Sequence, residues 1–135
     1  MRSIVVDSGA LVAMFDRSDR HYAPITKTLK AAGHALLLTT WPCVTEATHL
    51  LERIDIQLGL LTYIHRGFVS VSEFTAADLE HFMAWMAKYR DRPMDFADAS
   101  LVWLAVEAGV TEVLTTDRSD FETYRLPRGK RFRLL

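Results

Sequence analysis

Four carboxylates stand where the surrounding sequence argues against a free charge. Asp7 ends the apolar run Ile4-Val5-Val6, and Asp117 ends Val113-Leu114-Thr115-Thr116. Asp98 interrupts a segment from Asp95 to Glu107 that is apolar nearly all round, and Glu46 lies beside Cys43, Ala47 and Leu50 on a mainly apolar stretch. A buried carboxylate costs on the order of several kcal/mol unless it is paired, hydrogen-bonded or bound to a cation. At helical spacing around Glu46 and Asp98 the neighbours are Pro42, Cys43, His49, Leu50, Met94, Leu101 and Val102, none of them Lys or Arg. A hard dication with oxygen ligands resolves this excess of negative charge, and Mg2+ or Mn2+ suits a shell of carboxylates and water. Such a cation lowers the pKa of a bound water and stabilises charge on a phosphoryl oxygen, so the chemistry indicated is phosphodiester hydrolysis.

Each acid also has a structural reading. Asp7 can cap the helix that follows it, and Asp98 can be a third-position acid facing a helix N-terminus with Asp95 as the cap. Glu46 can be a half-exposed helix acid, and Asp117 a turn residue before Arg118. One shared cause accounts for all four exceptions at once.

The elements that would position these acids follow from periodicity. Ile4-Val5-Val6 is a β-branched run of the kind buried on both faces of a parallel sheet, followed by a turn at Asp7-Ser8-Gly9 and then a helix. Ser18-Asp19 offers a cap for a helix carrying Tyr22, Ile25, Leu29 and Ala32 on one stripe and ending at Gly33. Leu36-Leu37-Leu38 is a second strand. Trp41-Pro42 opens a helix with Val44, Ala47, Leu50, Leu51 and Ile54 on one face, and another begins near Ile56. Phe68-Val69-Ser70-Val71 reads as a third strand, and Thr75 with Asp78 as a capping box ahead of Leu79, Phe82, Met83 and Met86. Asp95 to Glu107 forms a buried helix closed by Gly109. Val113 to Thr116 is a fourth strand, and Arg131-Phe132-Arg133-Leu134 a candidate fifth. Arg90-Asp91-Arg92-Pro93 reads as a loop between helices. Alternation of short strands and helices predicts an α/β fold built of βα units, in which all strand ends of a parallel sheet share one edge. Asp7 and Asp117 can therefore converge where such folds place their ligands.

Composition narrows the alternatives. The 135 residues suit one compact domain, and half of them are hydrophobic. Formal net charge is −1, so any basic surface for nucleic acid must be local. The stretch from Arg125 to Arg133 is that candidate, with five of the 16 Lys and Arg residues, and Arg118, Arg128, Lys130, Arg131 and Arg133 are expected to contact phosphates. Cys43 is the sole cysteine, which excludes an intramolecular disulfide and a cysteine zinc cluster. A cytoplasmic setting is expected, because the opening run is too short for a signal peptide and no run reaches the roughly 20 apolar residues of a membrane span. His21, His34, His49, His65 and His81 show no metal-ligand spacing. Tryptophans 41, 85 and 103 are expected in the core.

The residues resemble the PIN domain family, and within it the VapC-like toxins of bacterial toxin–antitoxin pairs, over almost the whole chain. Ile4-Val-Val-Asp7-Ser-Gly-Ala-Leu-Val-Ala13 is similar to the family's strand-acid-helix opening, with Ser8 as its small hydroxyl. Thr45-Glu46-Ala47 resembles the second motif, Phe96-Ala97-Asp98-Ala99-Ser100 the third, and Leu114-Thr-Thr-Asp117-Arg118-Ser-Asp-Phe121 the fourth. Gly9 departs from the pattern, since relatives more often carry Ser or Asn there. The resemblance implies a three-layer sandwich with a mostly parallel sheet of four to five strands. It implies an Mg2+- or Mn2+-dependent endoribonuclease acting on tRNA, rRNA or mRNA, with a homodimeric assembly and a small antitoxin as partner. Catalytic and metal-binding roles would fall to Asp7, Glu46, Asp98 and Asp117, with Ser8, Asp95, Thr116 and Asp120 supporting them. Two rivals remain at this level: an inactive PIN-like module that binds RNA or protein, and a receiver-like domain. The second would need an acid pair after the first strand and a phosphoacceptor after the third, where Ser72 and Glu73 stand instead.

Overall fold

A computed structural model describes residues 1–135. Five strands form one sheet in the order β3-β2-β1-β4-β5, with every pairing parallel. They are β1 (Ser3–Val6), β2 (Leu36–Thr40), β3 (Val69–Ser72), β4 (Glu112–Leu114) and β5 (Arg133–Leu134). Seven helices surround the sheet: α1 (Ser8–Phe15), α2 (Tyr22–Ala32), α3 (Trp41–Leu50), α4 (Ile54–His65), α5 (Leu79–Lys88), α6 (Phe96–Ala108) and α7 (Arg118–Thr123). The chain builds outwards from β1 to β2 to β3, then returns to the other side of β1 for β4 and β5. Right-handed crossovers put the connections of the two halves on opposite faces. In contacts, α1 packs on α2, α3 and α4, and α6 packs on α5, β1 and β2, while α3 also packs on α6 and joins the two groups. The result is a three-layer α/β sandwich, and the order of strands reverses between β1 and β4.

Burial explains the composition of the central elements. Ile4, Val5 and Val6 are wholly buried because β1 has a strand on each side and helices on both faces. Helix α6 is buried from Ala97 to Ala105 except at Asp98, so the absence of a polar stripe reflects a helix covered on most sides. Gly109 ends it in the left-handed conformation at φ 65°, which glycine adopts without Cβ strain. The capping box at Thr75 and Asp78 is formed, heading a short 3₁₀ turn that runs into α5. One cluster of 32 buried apolar residues joins both helical layers through the sheet. No helix is long and apolar enough to cross a membrane.

Several local expectations need correction. Helix α1 starts directly at Ser8 without an intervening turn, because Asp7 itself caps it. The helix opened by Trp41 stops at Leu50, and Ile54 begins α4 with its side chain in solvent. Strand β4 ends at Leu114 instead of Thr116, since the Thr115 hydroxyl turns to the Asp7 carboxylate and draws the chain out of the ladder. Trp103 is buried as expected, but Trp41 stands 45% exposed.

Candidate active site

The reversal of strand order leaves a crevice outside the C-terminal ends of β1 and β4, and the acids gather there. Asp7 is buried at the end of β1. Its Oδ1 accepts from the backbone N–H of Ala10 at 2.8 Å, and its Oδ2 accepts the Thr115 hydroxyl. Thr115 in turn accepts the backbone N–H of Asp117 at 2.8 Å, so one hydroxyl ties the loop after β4 to the acid after β1. The helix-cap reading of Asp7 is therefore realised, and it fixes the carboxylate instead of replacing a further role.

Glu46 and Asp98 come from the two helices that meet above the crevice. Glu46 lies on α3, and its Oε1 accepts the hydroxyl of Ser8 from α1. Asp98 sits in the first turn of α6, its backbone N–H donating to the Asp95 side chain at 2.8 Å. Its Oδ2 accepts the hydroxyl of Tyr124 at 2.8 Å. A buried hydroxyl pair, Thr40 with Ser100 at 2.6 Å, joins the end of β2 to α6, and Ser100 also donates to the Ala97 carbonyl. These bonds hold α3, α6 and the sheet edge in register.

The electrostatics show that the acids share a field. Burial pushes the Asp7 carboxyl up to about 6, aided by repulsion from Asp117 and Glu46 and opposed by the bonds from Thr115 and Ala10. Burial raises Asp98 to about 7, with repulsion from Asp95, Asp7 and Asp120 in the same direction and the Tyr124 hydroxyl against it. Asp117 rises to about 6, first through its hydrogen bond with Asp120 and then through burial. Burial is the larger cause at Asp7 and Asp98 and repulsion among the acids adds to it, whereas at Asp117 the contact with Asp120 comes first. The Cys43 thiol is pushed up to about 12, chiefly by burial, so it is no nucleophile at neutral pH.

The cations fall differently from the sequence expectation. Arg92 reaches the crevice, donating to Asp120 at 3.2 Å, to Ser119 at 2.6 Å and to Thr123 at 3.0 Å, and its charge lowers the Asp117 pKa. Arg118 follows Asp117 directly and donates to the Leu135 carbonyl at 2.9 Å. The remaining group does not come to the acids. Arg128 and Lys130 line a cleft with Gly109, Val110 and Thr111, where the chain enters β4. Arg133 pairs in register with Glu112 at that same end, and Arg131 bridges to Arg125. The chain runs away from the acids before β5 begins, so these four basic residues belong to the opposite edge of the sheet.

Gly9 has a geometric reason here. A Cβ at this position would lie 2.1 Å from the Thr116 hydroxyl oxygen and 3.7 Å from Asp7 Oδ1. The Thr116 side chain thus fills the space that a side chain at position 9 would take, beside the Asp7 carboxylate. Sequence reasoning missed Thr115, Tyr124 and Arg92. Thr115 was legible only as a hydroxyl at a strand end, and nothing local marks the other two, which reach Asp98 and Asp120 across 26 and 28 residues.

Comparison with known proteins adds to this geometry. Ribonuclease VapC26 of Mycobacterium tuberculosis is 27% identical over 135 residues, spanning 98% of this chain and 99% of that protein. The crystal structure of VapC20 from Mycobacterium tuberculosis, described as a Sarcin-Ricin loop cleaving toxin, superposes with a TM-score of 0.74. That match covers 87% of this chain and 93% of VapC20 at 20% identity, which makes it a likeness of fold. The sequence pattern of the PIN domain matches residues 4–126, an interval that holds all four acids and runs from Ile4 in β1 past the end of α7, and the chain belongs to the PIN domain family.

Proposed function

We propose that the protein is a metal-dependent endoribonuclease that hydrolyses RNA phosphodiester bonds, acting as the toxin of a type II toxin–antitoxin pair. The observation that carries this reading is the set of four carboxylates, two of them raised by burial, at the strand-order reversal of a PIN domain. Similarity to a ribonuclease along the full chain supports it.

The donor set fits a hard dication. Its atoms are carboxylate and hydroxyl oxygens, and Asp7 and Asp98, raised first by burial and then by neighbouring acids, would be relieved by a cation. No group of three or more His, Cys, Asp or Glu side chains is arranged to grip an ion without help. Mg2+ keeps several of its waters when it binds, so an ion here would be held by water together with the carboxylates. Asp7, Glu46, Asp98 and Asp117 are the residues assigned to it. When bound, the ion supplies charge for the phosphoryl oxygens and a more acidic water.

The other side chains orient this set. Ser8 fixes Glu46, Thr115 fixes Asp7 and Tyr124 fixes Asp98, each by a hydroxyl donated to the carboxylate. Asp95 holds the first turn of α6, and Thr116 packs against Gly9 beside Asp7. Asp120 and Arg92 balance each other next to Asp117, with Arg118 adjacent to receive a phosphate. Arg128, Lys130, Arg131 and Arg133 can take part only in remote backbone contacts.

A small antitoxin, a homodimeric state, a single functional domain over residues 1–135 and a cytoplasmic setting complete the reading. Helix α4 supports a protein partner, because it buries only Leu60 and exposes Ile54, Leu58, Leu61 and Tyr63. The test is cleavage of single-stranded RNA in Mn2+ by the protein and by Asp7→Asn. Chelator should abolish cleavage, and the variant should lose at least about 100-fold in rate, beyond the usual loss from a supporting residue. Equal cleavage by Asp7→Asn would overturn the assignment.

A further inference from the structure

Beside Glu46 and Asp95 a groove of about 720 Å³ opens between the first turns of α3 and α6, and the acid chemistry gives it no role. Trp41, His49, Phe74 and Phe96 line it together with those two acids. Trp41 and Phe96 are 45% and 44% exposed, unlike the buried aromatic residues of the core. Neither ring is loose. The Trp41 indole N–H donates to Glu73 Oε1 at 3.2 Å. Phe96 packs edge-on against Phe74 at 5.7 Å, and Phe74 packs edge-on against Trp103 at 5.8 Å, so the wall is anchored in the core. Aromatic surfaces fixed beforehand lose little entropy when a ligand covers them.

Two features choose the ligand. First, the groove shares Glu46 and Asp95 with the acid site and lies beyond β2 and β3, on the same sheet edge as the crevice beyond β1 and β4. A strand whose phosphate sits at the acids must place a neighbouring nucleotide along this edge. Second, the lining holds carboxylates and neither Lys nor Arg, which repels phosphate and accepts the uncharged part of a nucleotide. The basic side chains of the edge, Arg92 and Arg118, stand on the β4 side instead. We propose that the groove is a subsite for an unpaired nucleobase next to the scissile phosphate, stacked against the exposed rings of Trp41 and Phe96. This rests on the ribonuclease reading for the identity of the strand. A base held in a duplex cannot enter, so the subsite selects loops and single strands over paired RNA.

The test measures binding without cleavage. Labelled single-stranded RNA is titrated with the protein in chelator, and anisotropy gives the affinity. Stacking contributes about 1–3 kcal/mol per base, so Trp41→Ala should weaken binding by roughly 5- to 150-fold, while Trp41→Phe keeps most of it. Wild-type protein should bind an oligonucleotide with one abasic position about as weakly as Trp41→Ala binds the intact one, and should bind the matching duplex poorly. Unchanged affinity for Trp41→Ala and for Trp41→Ala with Phe96→Ala would overturn the subsite. So would insensitivity to abasic substitution at every position, or loss of self-association in size exclusion with RNA affinity intact, which would mark the groove as a protein interface. If the protein binds with abasic sensitivity but never cleaves, the nuclease reading fails and the groove stands as a base-binding site with no scissile phosphate beside it. If it cleaves in Mn2+ and Trp41→Ala binds and cleaves normally, the subsite alone fails.

Discussion

The two edges of one parallel sheet handle charge in opposite ways. At the N-terminal edge, Arg2 grips Glu112 through two bonds of 2.8 and 2.7 Å, and this hydrogen bonding, with Arg2 and Arg133 charges nearby, holds Glu112 below its usual range. At the C-terminal edge, Asp7, Asp98 and Asp117 are all pushed up, with Arg92 the cation that offsets Asp117. One edge is balanced and contributes to folding. The other stores negative charge that folding alone does not favour, and that imbalance is what a dication or a substrate-bound ion would relieve. The contrast teaches that the sign of a carboxylate's shift separates structural acids from the candidate site better than its position at a strand end does.

Breaking the imbalance should stabilise the metal-free protein. With its carboxyl raised to about 7, Asp98 destabilises the folded protein when charged, so the contribution is lost as pH rises from the ordinary value of 3.8 through 7. Metal-free Asp98→Asn should melt above the wild type at pH 7.5 by roughly 3–6 °C, the shift expected of about 1 kcal/mol in a domain of this size, and equal to it near pH 4. A lower melting temperature across the whole range would remove the charge argument.

Gly9→Ala sharpens the comparison from inside the site. The new methyl must displace the Thr116 hydroxyl, which lies 2.1 Å from its place. Overpacking of this kind costs about 1–3 kcal/mol, read as a fall in melting temperature. The double variant with Thr116→Ala should recover most of that fall, and failure to recover would mean that the crowding lies elsewhere.

The balanced edge should respond least. Glu112→Ala removes an ion pair whose arginine is largely in solvent, so the melting temperature should drop by only about 1–2 °C. Because the Glu112 pKa is lowered, this loss is present at neutral pH and vanishes in acid. Asp98→Asn also loses its effect in acid, but with the opposite sign of change at neutral pH.

Much of this was legible in the chain. The run Ile4-Val5-Val6 announced a strand buried on both faces, and the unbroken apolar surface of α6 announced a covered helix, because burial writes itself into local composition. Asp7, Glu46, Asp98 and Asp117 were conspicuous for the same reason in reverse. What local pattern could not carry was the partner of each acid. Tyr124 and Arg92 reach the crevice through tertiary packing, and Arg128 and Lys130, expected with Arg118 to contact phosphates, are sent by the fold to the other edge. Trp41 carries the same lesson. A tryptophan heading an apolar helix reads as core, yet its position at the helix start leaves it at the open rim of the sheet.

The most direct measurement is calorimetric titration of Mn2+ into the protein across pH. Raised carboxyls must lose protons before they bind a cation, so affinity should climb between pH 5.5 and 7.5 with proton release, and Asp98→Asn should remove most of the binding and leave only the part of the climb near pH 6 that belongs to Asp7 and Asp117. Absence of binding at pH 7.5, or binding that is independent of pH and indifferent to Asp98→Asn, would contradict the account.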